Sequence, residues 1–127
     1  MGKIKKVLFI QHANVLSGSC ISLLLTMNGL DKTRYTSIIA LADPNSVVVR
    51  DFYFNHGYEP VAWLGVRLWH HSTGGARPIY DPRTWKDFCK IARDWASSVN
   101  ATTKLVQTVA PDLVHLNSMC LSPCAAG

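Results

Sequence analysis

Two polar segments of this chain have the composition to hold a ligand. His12-Ala13-Asn14-Val15-Leu16-Ser17-Gly18-Ser19 follows one apolar run, and Asn117-Ser118 closes another. In the first, Gly18 permits close approach to the backbone. The amides of Ser19, Cys20 and Ile21, at the opening of a helix, suit an anion such as a phosphate. Ser17, Gly18 and Ser19 are therefore the phosphate-side candidates, set against the plainer reading of a tight turn. Asn117 and Ser118 could hydrogen-bond a polyhydroxy ligand, although capping a following helix is the favoured reading, and His12 and Asn14 on the first loop are the other candidates. The loop is neither the three-glycine dinucleotide fingerprint nor the phosphate loop ending in Gly-Lys-Ser/Thr.

The remaining reactive side chains carry less. His115 lies inside an apolar strand and reads as a core histidine. His70 and His71 are neighbours on an irregular stretch with no carboxylate nearby, which favours a solvent-facing pair. Of the four cysteines, only Cys120 and Cys124 are close, and a zinc site needs about four ligands. Reduced, mostly buried thiols are expected, with no metal and no cofactor. No Ser-His-Asp order and no metal-binding His-Glu helix is present, so the chain shows no catalytic set.

The elements that must position these residues follow from periodicity. Val7-Leu8-Phe9-Ile10 predicts a strand over about 4–11, followed by a helix from Cys20 to about Gly29 with Ser19 as its cap and Ile21, Leu24, Leu25 and Asn28 on one stripe. Tyr35–Leu41 reads as a second strand. Asp43-Pro44 opens a helix from Pro44 to His56, stopped at Gly57, and Glu59–Trp63 reads as a third strand. The segment 64–82 has no period, and its length marks it as a functional loop. Thr84-Trp85-Lys86-Asp87 resembles a capping box. Trp85, Phe88, Ala92, Trp95, Val99, Thr102, Val106 and Val109 then form one helical stripe, expected to pack against a sheet, until Pro111 stops the helix. Asp112–Leu116 is a fourth strand, and Leu121–Gly127 reads as the first turns of another helix.

This order predicts an α/β fold: a Rossmann-like parallel sheet of about four strands with helices on both faces, incomplete relative to a full domain. Residues 1–127 make one domain. Apolar content of 48% with 17% charged residues excludes a disordered chain, and the apolar runs are too short to cross a bilayer. The net charge of +5 suits anionic ligands or a membrane headgroup surface better than sequence-specific nucleic-acid reading, for which no motif exists. With no secretion signal recognisable, a cytoplasmic location is expected, including peripheral association with the inner membrane face.

Several stretches together carry a likeness. Lys6-Val-Leu-Phe-Ile-Gln-His12, Leu16-Ser-Gly-Ser-Cys-Ile-Ser-Leu-Leu-Leu25 and Gly29-Leu-Asp-Lys32 are followed by His56-Gly-Tyr-Glu-Pro-Val61 and Pro111-Asp-Leu-Val-His-Leu-Asn-Ser118. This series resembles the amino-terminal domain of family 4 glycosyltransferases of GT-B architecture, over essentially the whole chain. The resemblance implies retaining transfer of a hexose-type sugar from a nucleotide-sugar donor to a glycan or lipid-linked acceptor, without a metal ion. It implies that the Ser17-Gly18-Ser19 loop approaches the donor phosphates while this domain chiefly binds the acceptor. Ser17 stands where the family usually has its first glycine, and Cys20 where a Glu is common. The family's donor domain, with its acidic motif, is not in these residues. The expectation is thus no turnover by this chain alone, the other half of the cleft coming from a carboxyl-terminal donor domain on another chain. The competing reading is a stand-alone flavodoxin-like module that binds a nucleotide or sugar phosphate without chemistry.

Overall fold

Val7, Leu8, Phe9, Ile10 and Gln11 are all buried in succession, which a strand achieves only when both of its faces are covered. In the computed structural model, which describes residues 2–43, 45–62 and 81–117, they form the body of β1 (Lys5–Gln11). The chain continues through α1 (Gly18–Gly29), β2 (Tyr35–Leu41), α2 (Val47–Asn55), β3 (Val61–Ala62), α3 (Pro82–Val109) and β4 (Leu113–Leu116).

All pairings are parallel. Three strands of four to seven residues run in the order β2-β1-β4, and the two-residue β3 joins at the β2 edge. Lys5 pairs with Tyr35 and Gln11 with Leu41 on one side of β1; Val7 pairs with Leu113 and Ile10 with Leu116 on the other. The fold is thus of the α/β class with a small parallel sheet.

The pleat of β1 sorts its side chains into two cores. Val7 and Phe9 join Cys20, Leu23, Leu24 and Met27 of α1 and Val49 and Tyr53 of α2. Leu8 and Ile10 join Ala40 of β2 and Leu105 of α3, with Val106, Val109 and Leu116 packed alongside. The helices accordingly cover opposite faces, α1 and α2 on one and α3 on the other.

Several boundaries differ from the sequence reading. Helix α1 starts at Gly18, and its N-cap is Ser17 rather than Ser19, because Ser17 is where the backbone is still extended and its carbonyl takes the first helical bonds, from Cys20 and Ile21 at 3.0 and 3.4 Å. Its buried stripe is Cys20, Leu23, Leu24 and Met27, while Ile21 and Leu25 are exposed. Both sets have helical spacing, and only contact with β1 chooses between them. Helix α2 is shorter than expected and is capped by Ser46, whose φ and ψ leave the helix; Asp43 instead accepts from the Asn45 amide at 2.9 Å. Gly57 takes φ +86, the left-handed stop expected of it.

Helix α3 begins one turn early. Asp81 caps it by accepting from the Arg83 amide at 2.8 Å, with Pro82 in the first turn, so Thr84 is helical rather than a cap. Its buried residues are Ser98, Thr102 and Leu105, whereas Trp85, Phe88 and Trp95 are exposed. The expectation that the whole aromatic stripe is core holds only for the half that lies on the sheet. Cys89 is likewise exposed rather than buried, while Cys20 is buried as expected. His70, His71, Trp63, most of the segment 64–82, Cys120, Cys124 and the helix expected from Leu121 lie outside the described residues, as does Pro44.

Candidate functional site

Gln11 ends β1 fully buried, and a buried carboxamide must find partners for both its ends. Its Nε2 donates to the Tyr53 hydroxyl at 3.0 Å and contacts the Cys20 sulfur at 3.5 Å. Its Oε1 accepts from the His12 amide at 2.9 Å, the Ala13 amide at 3.4 Å and the Asn117 side chain at 3.0 Å. The Tyr53 hydroxyl in turn donates a hydrogen bond to the Cys20 carbonyl at 3.2 Å, and burial pushes the pKa of this phenol well above its ordinary range. One side chain therefore ties together the end of β1, the start of the loop, α1, α2 and the end of β4.

The loop between β1 and α1 is held along its length. Asn14 is exposed, but its carbonyl accepts from the Ser46 hydroxyl at 2.6 Å, which fixes the loop to the opening of α2. The Val15 carbonyl lies 3.7 Å from the Cys20 sulfur. The Ser17 and Ser19 hydroxyls pair at 2.8 Å, and Ser17 makes no side-chain cap to the helix. Among the described residues, none accepts from the Gly18 or Ser19 amides. Two donors at the positive end of α1 are thus left for water or an anion. A Cβ placed on Gly18 would meet nothing within 4 Å, so the backbone here is open to approach.

Asn117 closes the arrangement from β4. Its backbone amide donates to the Ile10 carbonyl at 3.1 Å, and its Nδ2 donates both to Gln11 and to the Ser19 carbonyl at 3.2 Å. Its Oδ1 has no partner among the described residues and can accept from a ligand hydroxyl. His12 is half-buried. Its Nδ1 is the buried side-chain nitrogen without a hydrogen bond among the described residues, and burial holds the imidazole below its ordinary pKa of 6.5. The ring is therefore neutral at pH 7, with a nitrogen able to accept a proton or a hydrogen bond.

No protein-family model, curated protein or solved structure matches this chain.

The structure brings Ser17, Gly18, Ser19 and Asn117 to one end of the sheet, with His12 and Asn14 on the loop joining them. Ser118 lies outside the described residues. His115, expected in the core, is half-buried; its ring lies tilted against Phe9, with centroids 5.2 Å apart and planes at 49°, because β4 is the edge strand of the sheet. Gln11, Tyr53 and Ser46 were not singled out from the sequence. Gln11 had a signal, since it is a polar residue ending a run that is otherwise wholly apolar. Tyr53 had none, because its role depends on α2 lying beside Gln11.

Elsewhere, the amino edge of the sheet has a hollow of about 660 Å³ lined by Lys3, Lys5, Arg34, Tyr35 and Asp112 among others. Asp112 there accepts from the Lys6 amide at 2.8 Å and lies 3.9 Å from the exposed Lys3 ammonium. It sits at the opposite end of the strands from the loop residues.

Proposed function

We propose that this chain is the amino-terminal, acceptor-side domain of a nucleotide-sugar-dependent glycosyltransferase, a Rossmann-like half of a two-domain cleft resembling family 4. One observation carries the reading. The strand order reverses between β1 and β4, and at that reversal Asn117 joins the end of β4 to the opening of α1. In doubly wound sheets the crevice outside the carboxyl ends of the strands at such a reversal is where ligands bind. The free Gly18 and Ser19 amides support contact with a donor phosphate, aided by the helix dipole. The neutral His12 ring, Asn14 and the Asn117 carboxamide oxygen support recognition of acceptor hydroxyls.

On this reading the donor sugar is held by a second domain, since transfer needs donor and acceptor held together. The bound sugar nucleotide is substrate, and no cofactor enters.

The test is an amide NMR titration of the 127-residue chain with UDP-glucose and GDP-mannose as probes, paired with a turnover assay. The reading expects shifts concentrated at Gly18, Ser19 and Asn117, with no sugar transfer. Shifts confined to Lys3, Lys5 and Arg34 would move the anion to the amino edge and overturn it. Binding at Gly18 by free phosphate but by neither sugar nucleotide would favour the simpler binding module.

A further inference from the structure

The hollow at the amino edge of the sheet has the size of an ordinary ligand pocket, about 660 Å³, and none of the candidate-site residues lines it. Lys3, Lys5 and Arg34 do, with Asp112 as the single carboxylate. That carboxylate is already engaged. Its Oδ2 accepts from the Lys6 amide at 2.8 Å, and its Oδ1 lies 3.9 Å from the Lys3 ammonium. An exposed pair at that distance holds Lys3 only weakly, so its ammonium can turn to a ligand. Among the described residues, Lys5 and Arg34 form no ion pair. Asp31 does not line the hollow, and its carboxylate is bonded by the Thr33 amide and hydroxyl at 2.9 and 2.6 Å.

The walls are fixed by the fold itself. The Lys5 amide donates to the Arg34 carbonyl at 2.9 Å, which joins the openings of β1 and β2. The turn before β2 is closed by the Arg34 and Tyr35 amides, which both donate to the Asp31 carbonyl, at 3.0 and 2.9 Å. The Arg34 guanidinium lies over the Tyr35 ring, 5.8 Å from its centroid, a contact that restrains the long side chain. On the other side, the Asp112 amide donates to the Lys6 carbonyl at 2.9 Å and pins the entry of β4 against β1.

The chemistry of these groups selects the ligand. A guanidinium fork with two ammonium groups suits a tetrahedral oxyanion. Three cations against one carboxylate match the charge of a phosphate monoester at neutral pH, close to a dianion, better than the single charge of a diester. The hollow is larger than a phosphate group, and the exposed Ile4 side chain with the half-buried Tyr35 ring gives it an apolar side.

We propose that this hollow binds a phosphate monoester, its phosphate held by Lys3, Lys5 and Arg34 and its organic body lying against Ile4 and Tyr35. The inference does not rest on sugar transfer. UDP-glucose and GDP-mannose contain no phosphate monoester, and the loop proposed for them lies at the opposite end of the strands.

Phenyl phosphate is the probe, titrated into the full chain and followed by amide NMR, with dimethyl phosphate as the diester control. Saturable shifts at Lys5, Arg34 and Tyr35 are expected, with a Kd of about 1 mM and a diester at least roughly fivefold weaker. Arg34→Gln and Lys5→Gln should each weaken binding roughly tenfold, whereas Lys32→Gln, on the same turn but outside the hollow, should change it less than about twofold. All three side chains belong to exposed residues, and circular dichroism checks that each variant is folded. No saturation by about 20 mM, shifts that miss these residues, equal loss in all three variants, or a diester that binds as tightly would overturn the proposal. Co-sedimentation with phosphatidylcholine vesicles, with and without phosphatidic acid, then names the source of the ester. Pelleting that needs phosphatidic acid and is abolished by Arg34→Gln assigns it to a lipid headgroup, and any other result assigns it to a free phosphate ester.

Discussion

The Asn117 side-chain amide donates to the Gln11 carboxamide oxygen at 3.0 Å, joining two residues 106 positions apart at the ends of neighbouring parallel strands. Gln11 fixes the orientation of Asn117, and Asn117 fixes the opening of α1 through the Ser19 carbonyl. The candidate site is therefore shaped by a buried polar network, and such a network is costly when half-made.

Replacing Gln11 by Leu keeps the volume and removes every partner at once. The Tyr53 hydroxyl, the Asn117 amide and two loop amides lose their hydrogen bonds, at an expected loss of about 2–4 kcal/mol. Asn117→Ala, on a half-buried residue, should lose about 1 kcal/mol. Because the two side chains share a bond, the double variant should be less destabilised than the sum. Urea unfolding of the four proteins checks this; an additive cycle would show that the pair is not coupled.

Tyr53→Phe removes a hydroxyl that both accepts and donates, so a loss of about 1–3 kcal/mol is expected. Its alkaline behaviour is equally specific. The folded phenol is raised above its unfolded value of 10.0 by burial, so the stabilisation it confers is full below that pH and is lost as pH rises toward the folded value. Stability measured from pH 9 to 11.5 should fall more steeply in the native chain than in Tyr53→Phe.

Much of the sheet was legible, and the reasons are local. Continuous apolar runs bounded by Pro111 or Asp43 leave little choice about where β1, β2 and β4 lie, and Gly57 supplies a φ that other residues avoid. Helix openings were not legible, because Ser17 and Ser19, or Asp81 and Thr84, are equally good caps by type. The backbone turn decides between them. The exposed aromatics of α3 were misread for a different reason. A stripe records that a helix has an apolar face, not how far the sheet beneath it reaches. The candidate residues were legible as a pair of strand ends, but the Gln11–Tyr53 contact that organises them is a long-range fact.

His12 should respond to acid. Burial lowers its pKa in the folded chain below the unfolded 6.5, so the native state binds fewer protons than the unfolded state in that range. The stability linked to this ring is complete above about pH 6.5 and is lost as pH falls through the lower folded value. Ring NMR shifts should therefore give a midpoint below 6.5, and the chain should lose stability from pH 7 to 5 less steeply after His12→Gln. A midpoint at or above 6.5 would mean the ring is not desolvated as the structure has it.

Two glycines separate conformation from access. Gly57 has φ +86 with open space around its Cβ position, so Gly57→Ala meets no atom and is destabilised by backbone strain alone, by about 1 kcal/mol. Gly18 has the same open space but ordinary helical backbone at the first position of α1. There Gly18→Ala should be neutral or stabilise by up to about 1 kcal/mol, since alanine is the better helix former. If a phosphate approaches the Gly18 and Ser19 amides, the added methyl group must stand in its way. The variant should then melt no earlier than the native chain, yet bind UDP-glucose roughly fivefold or more weakly, ~1 kcal/mol of lost affinity. Stability gained with binding unchanged would remove Gly18 from the ligand path, and with it the phosphate role of the α1 amino terminus.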